Sequence, residues 1–221
     1  MVEPRFPVVL FDMDGTLVDE KSAWEWVHDH FGVDNSDNLE AFFQGYLDDE
    51  AFMASDIALW QDAAGGKVHI KEVEEILAAA PLMPGTHELF DALNEAGVTT
   101  GIVSGGIDIL AHRVAQELGI QVVEANGLAV DAKGFLTGQG ICRVYLEDKA
   151  TPTQRALRAL GADGEQAAAV GNSHYDVGMF ETVARGIAFA PVDQGVREGA
   201  DIVLETKDMR ALIDHLVEGW A

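Results

Sequence analysis

Hydrophobic and polar positions follow two rhythms along the 221-residue chain. Short apolar runs rich in β-branched residues predict buried strands, whereas apolar residues spaced three and four apart predict amphipathic helices. We expect strands at residues 7–11, 98–103, 122–123, 141–146, 167–170, 186–190 and 202–204, with a hairpin over 125–140. We expect helices at residues 86–96, 107–118, 151–160 and 207–217.

Residues 18–84 break this alternation because they show helical patterns only. Ser22 to Glu25 has the form of a capping box that opens a helix. Further helical patterns cover 38–46, 49–63 and 69–80, and Pro84-Gly85 closes the stretch. We therefore expect a helical cap at 18–84, inserted into an α/β core made of 1–17 and 85–221.

Strands that alternate with helices predict an α/β fold, a Rossmann-like parallel sheet with helices on both faces. The functional loops of such sheets lie at the carboxyl ends of the strands. Asp12, Ser104 and Asn172 each follow a predicted strand directly. The pattern therefore places three separated segments at one edge of the sheet.

The most informative of these segments is Asp12-Met-Asp14-Gly-Thr16. Two carboxylates that project into one crevice repel each other unless a cation lies between them, which favours Mg²⁺, a hard ion with oxygen ligands. One carboxylate can attack phosphorus, and the other can protonate the leaving oxygen and then activate water. The alternative is a turn that carries two solvated acids.

Three further segments add polar groups at the same edge. Ser104 supplies a hydroxyl, and Gly105-Gly106 lets backbone N–H groups approach an anion. Lys149 can neutralise phosphate charge, and Gly171–Asp176 offers two oxygen ligands. Each segment alone is also compatible with an ordinary connection or a surface lysine.

Taken together and in this order, these motifs resemble those of a haloacid dehalogenase-type phosphatase, and more narrowly the phosphoserine phosphatase-like branch. Asp12–Thr16, Ser104–Gly106, Lys149 and Gly171–Asp176 carry the resemblance, and it covers nearly the whole chain. It implies a Mg²⁺-dependent phosphomonoester hydrolase that acts on a small phosphorylated metabolite through an aspartyl phosphate.

The resemblance also implies a role for each matching residue. Asp12 would be the nucleophile, Asp14 the general acid and base, and Lys149 the group that stabilises the transition state. Ser104 and the Gly105 N–H would bind the phosphoryl oxygens. The implied metal ligands are Asp12, Asp14 through its carbonyl, Asn172 and Asp176.

The sequence departs from the family pattern at two places, one of which affects metal binding and the other the identity of the substrate. Asn172 stands where the family usually has a metal-binding aspartate, so we expect weaker Mg²⁺ binding. Phosphoserine phosphatases hold the substrate's carboxylate with a cap arginine and its amine with a cap glutamate, but residues 18–84 contain no arginine. Lys21 stands about where that glutamate would be, beside Glu20.

The substrate therefore stays open at this point. Glu20, Lys21 and His174 are the candidate substrate-binding residues, and a sugar or polyol phosphate is at least as good a candidate as phosphoserine. Two other functions are compatible with the same residues. One is a phosphotransferase that passes the group to an acceptor alcohol, and the other is a non-catalytic protein that binds phosphorylated metabolites.

The amino-acid composition excludes several classes of protein function and partner. A formal net charge of −24 with no Lys/Arg patch argues against a nucleic-acid partner. A single cysteine, Cys142, excludes a disulfide framework. No apolar run approaches the roughly 20 residues of a membrane span, and the N-terminus has no secretory pattern. We therefore expect a cytoplasmic protein, and the sequence does not indicate an oligomeric state.

The negative charge is concentrated in the predicted cap. Residues 18–84 hold 15 acids and 3 lysines, which is half of the net charge in under a third of the chain. An acid-rich, lysine-poor surface favours a protein that works in concentrated salt, where counterions screen self-repulsion. An ordinary acidic cytosolic protein is the alternative.

This charge predicts a salt dependence of the implied activity. An anionic phosphate ester is repelled by the cap at low ionic strength, and the Debye length falls to about 3 Å at 1 M salt. We expect kcat/KM for a phosphate ester to rise as KCl is increased. A steady fall of kcat/KM with KCl would contradict the prediction.

Overall fold

The structure, a computed structural model, describes residues 2–220. Its centre is a seven-stranded sheet in the order β5-β4-β3-β2-β6-β7-β8, parallel throughout except for β5, which pairs antiparallel with β4. The strands are β1 (Glu3–Pro4), β2 (Val8–Phe11), β3 (Thr99–Ile107), β4 (Val122–Val130), β5 (Leu136–Ile141), β6 (Ala167–Gly171), β7 (Arg185–Phe189), β8 (Ile202–Leu204) and β9 (Val217–Glu218). The predicted α/β fold with a mostly parallel sheet is confirmed.

Ten α-helices accompany the strands in the described residues. They are α1 (Ala23–Phe31), α2 (Ser36–Phe43), α3 (Asp49–Ala63), α4 (Ile70–Ala78), α5 (Thr86–Glu95), α6 (Asp108–Leu118), α7 (Ala150–Ala159), α8 (Val177–Phe180), α9 (Gln194–Gly199) and α10 (Ile213–Leu216). Short 3₁₀ helices lie at Gly164–Gln166, His174–Asp176 and Met209–Leu212.

Strand β2 lies at the middle of the sheet and is fully buried. Its side chains alternate between the faces, so that Val9 and Phe11 join one hydrophobic cluster while Val8 and Leu10 join the other. Both faces of the parallel sheet are therefore covered. Because β3 and β6 flank β2 on opposite sides, a crevice opens where β2 ends.

Helices α1 to α4 occupy the stretch predicted to be all-helical. Ser22 caps α1, and its side chain accepts hydrogen bonds from the N–H groups of Trp24 and Glu25. The chain leaves and re-enters the sheet domain beside itself, because Val18 and Leu82 form an antiparallel bridge. Helix α3 also packs against β5, and Gln61 donates a hydrogen bond to the Leu136 carbonyl. The division of the chain into core and cap stays a prediction.

Two sequence predictions about the later part of the chain are wrong. The strand expected at 141–146 ends at Ile141, because the side chain of Asn126 accepts the N–H groups of Arg143 and Val144 in place of a neighbouring strand. The helix expected at 207–217 breaks into a 3₁₀ turn, one turn of α-helix and strand β9, which pairs with β1. In both places a distant partner takes the backbone hydrogen bonds.

Strand β3 is longer than predicted and runs through Ser104 and Gly105 to Ile107. Its register with β4 shifts between Val103 and Ile107, so the Ser104–Gly106 segment leaves the regular ladder. This irregular segment lies beside the crevice at the end of β2. Within residues 2–220, none of the helices has both the length and the apolar character needed to cross a membrane.

Candidate active site

A cavity of about 800 Å³ lies between the end of the sheet and helices α1 to α3. Most residues that the sequence analysis singled out line it together: Asp12, Asp14, Glu20, Lys21, Ser104, Gly105, Lys149 and Asn172. His174 is not among the lining residues; its backbone N–H donates to Asp193, and its ring also faces that carboxylate. The prediction that His174 contacts substrate therefore has no support in this arrangement.

A buried ion cluster forms the floor of the cavity. The Lys149 ammonium donates to Asp12 Oδ1 and to Asp176 Oδ1, both at 2.6 Å. All three residues are at least 96% buried. The hydroxyl of Thr16 donates to the second oxygen of Asp12 at 3.3 Å. Asp12 is thereby held in one orientation at the end of β2.

Asp176 was predicted as a metal ligand, but the structure engages both of its oxygens elsewhere. Its Oδ1 accepts Lys149, and its Oδ2 accepts the backbone N–H groups of Asn172 and Ser173 at 2.8 and 2.9 Å. A carboxylate used in this way orients the lysine and the loop after β6. Asp176 thus holds Lys149 and the loop after β6 in this arrangement, and its assignment as a metal ligand stays a prediction.

The two acids of the first motif have raised pKa values. Burial is the largest cause for Asp12, with Asp176 adding to it and Lys149 opposing it, and its pKa is about 7. Burial also raises the pKa of Asp14 to about 6. Asp14 Oδ1 is buried and has no hydrogen-bond partner among the described residues. The site holds three carboxyl groups, those of Asp12, Asp14 and Asp176, against the one ammonium group of Lys149.

This surplus charge fits a divalent cation at the floor. Residues 2–220 contain no cluster of three His, Cys, Asp or Glu side chains arranged for metal binding. A metal here would therefore draw on amide or main-chain oxygens besides Asp12. The Asn172 side chain supplies such an amide group and lies against Gly15, where a Cβ would overlap it. The donor set is oxygen-only, as Mg²⁺ prefers.

The segment after Val103 forms the other side of the floor. Ser104 is buried, and its Oγ accepts the N–H of Gly106 at 3.0 Å, which leaves its hydroxyl hydrogen free to donate. The Gly105 carbonyl accepts the indole N–H of Trp24 at 3.2 Å and the Asn126 amide at 3.1 Å. These two contacts fix the peptide that faces the cavity.

Sequence reasoning missed what Asn126 does. Asn126 makes four hydrogen bonds that link the Gly105 peptide to residues 143–144. Its only sequence signal was a place in the predicted hairpin. Trp24 stacks on Trp60 with ring centroids 5.5 Å apart. It also lines the cavity, so packing and site roles coincide.

A sequence model of the haloacid dehalogenase-like hydrolases matches residues 9–181, which include the whole floor of the cavity. The chain belongs to the haloacid dehalogenase-like hydrolase family. The predicted family resemblance is thus confirmed.

Curated relatives in this family share most of the chain's length. The phosphoserine phosphatase of Methanocaldococcus jannaschii is 28% identical over 97% of this chain and 100% of its own length. The phosphoserine phosphatase of Wolinella succinogenes is 30% identical, over 95% of this chain and 99% of that protein. These relatives confirm the predicted enzyme class, a phosphatase of this family.

Solved structures of the same group share the fold. A substrate-bound phosphoserine phosphatase complex superposes with a TM-score of 0.79 at 26% identity, covering 94% of this chain and 97% of that one. A structure described as a phospho-aspartyl intermediate analogue of phosphoserine phosphatase gives a TM-score of 0.78, with the same identity and coverage.

The close approach of Gly106 to Asp14 yields a prediction about this member of the family. A Cβ on Gly106 would overlap Asp14 Oδ2 and lie 2.6 Å from Met13 Cε, so Gly106→Ala must displace the acid. We expect phosphatase kcat to fall about tenfold or more with little change in Tm. The neighbouring Gly105→Ala adds a Cβ that meets only Leu146 at 3.4 Å and should cause the smaller loss. Equal losses would contradict this reading.

Proposed function

We propose that the protein is a Mg²⁺-dependent phosphomonoesterase that works through phosphorylation of Asp12. The observation that carries the proposal is the buried cluster in which Lys149 and Thr16 hold the two oxygens of Asp12 beside Ser104 and Asp14. A nucleophile, a proton donor and anion-binding groups share one cavity. The similar phospho-aspartyl structure of phosphoserine phosphatase supports the same type of intermediate.

In the first step an oxygen of Asp12 attacks phosphorus while the bond from phosphorus to the alcohol oxygen breaks. Ser104 and the Gly105 N–H donate to the phosphoryl oxygens, and Lys149 balances the negative charge that develops. Asp14 gives its proton to the departing alcohol oxygen. A pKa raised to about 6 by burial suits this task, because the acid must be protonated at the start.

In the second step a water molecule attacks phosphorus, and the bond to Asp12 breaks. Asp14, now a carboxylate, takes the proton of that water, so both steps use the same group in opposite directions. Asp12 returns to its starting state and inorganic phosphate leaves. Asp176 keeps Lys149 in place throughout.

Mg²⁺ would be held by Asp12, the Asp14 carbonyl and Asn172, and when bound it neutralises phosphoryl charge during transfer. Residues 18–84 would act as the cap that covers the cavity and excludes bulk water. The two connections between the cap and the sheet domain pair with each other at Val18 and Leu82, and they would form the hinge for opening and closing of the cap.

Asp12→Asn tests the nucleophile directly. An amide cannot form the acyl phosphate, so we expect phosphate release to fall at least about a thousandfold. Mass spectrometry of acid-quenched wild-type protein during turnover should show one added phosphoryl group, absent from the variant. Asp201→Asn, outside the cavity, is the control. Unchanged turnover by Asp12→Asn would refute the assignment.

The same assay separates the two alternative functions. Transfer of the phosphoryl group to an added alcohol in preference to water would identify a phosphotransferase. Binding of phosphate esters with no turnover at any Mg²⁺ or KCl concentration would identify a non-catalytic binding protein. Nothing in the geometry favours either of them over hydrolysis.

Asn172→Asp tests the metal assignment. The substitution restores a negative charge beside the donor set, and ligand charge governs the affinity for hard cations. We expect the dissociation constant for Mg²⁺, measured by calorimetry without substrate, to fall about tenfold or more. Asp62→Asn, on an exposed part of α3, is the control for a change of charge. An unaltered constant in Asn172→Asp would place the metal elsewhere.

A further inference from the structure

One wall of the cavity is formed by helix α3. Phe52, Met53 and Asp56 lie on its inward face and line the cavity. Asp56 is only 2% exposed, so its carboxylate has almost no contact with bulk solvent. The proposed phosphate chemistry does not use this buried acid.

The two oxygens of Asp56 have different surroundings. Oδ1 accepts the Asn35 amide at 3.1 Å, and His28 Nε2 lies 3.3 Å from the same oxygen. Oδ2 accepts no hydrogen bond from residues 2–220 and, unlike Asp14 Oδ1, is not fully enclosed by the protein. Asp56 therefore presents a nearly buried carboxylate oxygen without a partner in the wall of the cavity.

His28 does not neutralise that carboxylate. The indole N–H of Trp60 donates to His28 Nδ1 at 2.6 Å. Because an indole nitrogen can only donate, His28 Nδ1 carries no proton, and the ring is the neutral tautomer with its hydrogen on Nε2. Asp56 thus accepts the Asn35 amide but no positively charged group, and the approach of His28 Nε2 does not have hydrogen-bond geometry. A buried carboxylate without a cation is costly, and a bound cation relieves that cost.

None of the three lysines that line the cavity is paired with Asp56. Lys149 is bound to Asp12 and Asp176, and Lys207 pairs with Asp19 at 2.6 Å. Lys21 is exposed to solvent. The rest of the cavity lining includes three acids and two aromatic residues beside amide and aliphatic side chains: Glu20, Glu25, Asp49, Trp24 and Phe52, with Asn35, Leu39 and Met53. This lining suits a positive group, and aromatic faces add cation–π attraction.

The Asp56 carboxylate is also fixed relative to the phosphate site. Trp60, which holds His28, stacks on Trp24, and Trp24 donates to the Gly105 carbonyl. Side chains locked in this way hold a recognition group and a reaction centre in a constant relation. One substrate can therefore engage both ends of the cavity.

We propose that Asp56 determines substrate specificity by binding an ammonium group on the alcohol part of the substrate. The substrate class is then the phosphate monoesters of small amino alcohols, with no carboxylate required. This inference rests on the proposed phosphomonoesterase function.

The test compares kcat/KM for O-phosphoethanolamine with that for propyl phosphate, in which a methyl group replaces the ammonium. An added charged hydrogen bond predicts a preference of about 10- to 100-fold for the amine. In Asp56→Asn the preference should fall to within about threefold of unity, whereas Asp62→Asn on the same helix should keep it. Phosphoglycolate, which carries a carboxylate and no amine, should be the poorest ester.

The outcomes separate the two proposals. If no ester, p-nitrophenyl phosphate included, releases phosphate, the phosphomonoesterase function itself fails. If propyl phosphate or phosphoglycolate is hydrolysed as well as the amine, or if Asp56→Asn keeps the preference, the function stands and the role of Asp56 is overturned. Equal hydrolysis of propyl phosphate and the amine by the wild-type protein overturns the role of Asp56 even if Asp56→Asn does not fold.

Discussion

The floor of the active site depends on one buried ammonium group. Lys149 lies between Asp12, at the end of β2, and Asp176, in the loop after β6, and it donates to both at 2.6 Å. Without it two carboxylates would be buried close together with no cation, which is strongly unfavourable. Lys149 comes from the start of α7, so the ion cluster joins three separate segments of the chain.

The charge left over after this pairing shapes the rest of the cavity. Asp14 has an unpartnered oxygen at the floor, and Asp56 has one in the wall formed by α3. Both are carboxylates in poorly solvated places, and both therefore attract positive charge. The first suits a hard metal ion and the second suits an ammonium. A cavity built in this way distinguishes phosphate esters by the charge of the alcohol part.

The floor was predictable because its residues follow strands. An apolar run that ends in Asp12-Met-Asp14 predicts a strand and the edge at which it ends, and parallel strands bring their carboxyl ends together. The wall was not predictable in the same way. Asp56 lies in a helix with no distinguishing local pattern, and its importance arises from contacts with His28 and Asn35, which are 28 and 21 positions away.

The sequence by itself determined the α/β fold, the family and the group of residues at the end of β2, because strand periodicity and short motifs are local signals. Only the tertiary structure decided that Asp176 contacts Lys149, that His174 contacts Asp193, and that the helix expected at 207–217 is broken and followed by a strand that pairs with Glu3–Pro4. Each of these outcomes depends on a hydrogen-bond partner distant in sequence. Local propensity contains no information about such a partner, because competition for backbone and carboxylate groups is settled only when the chain is packed.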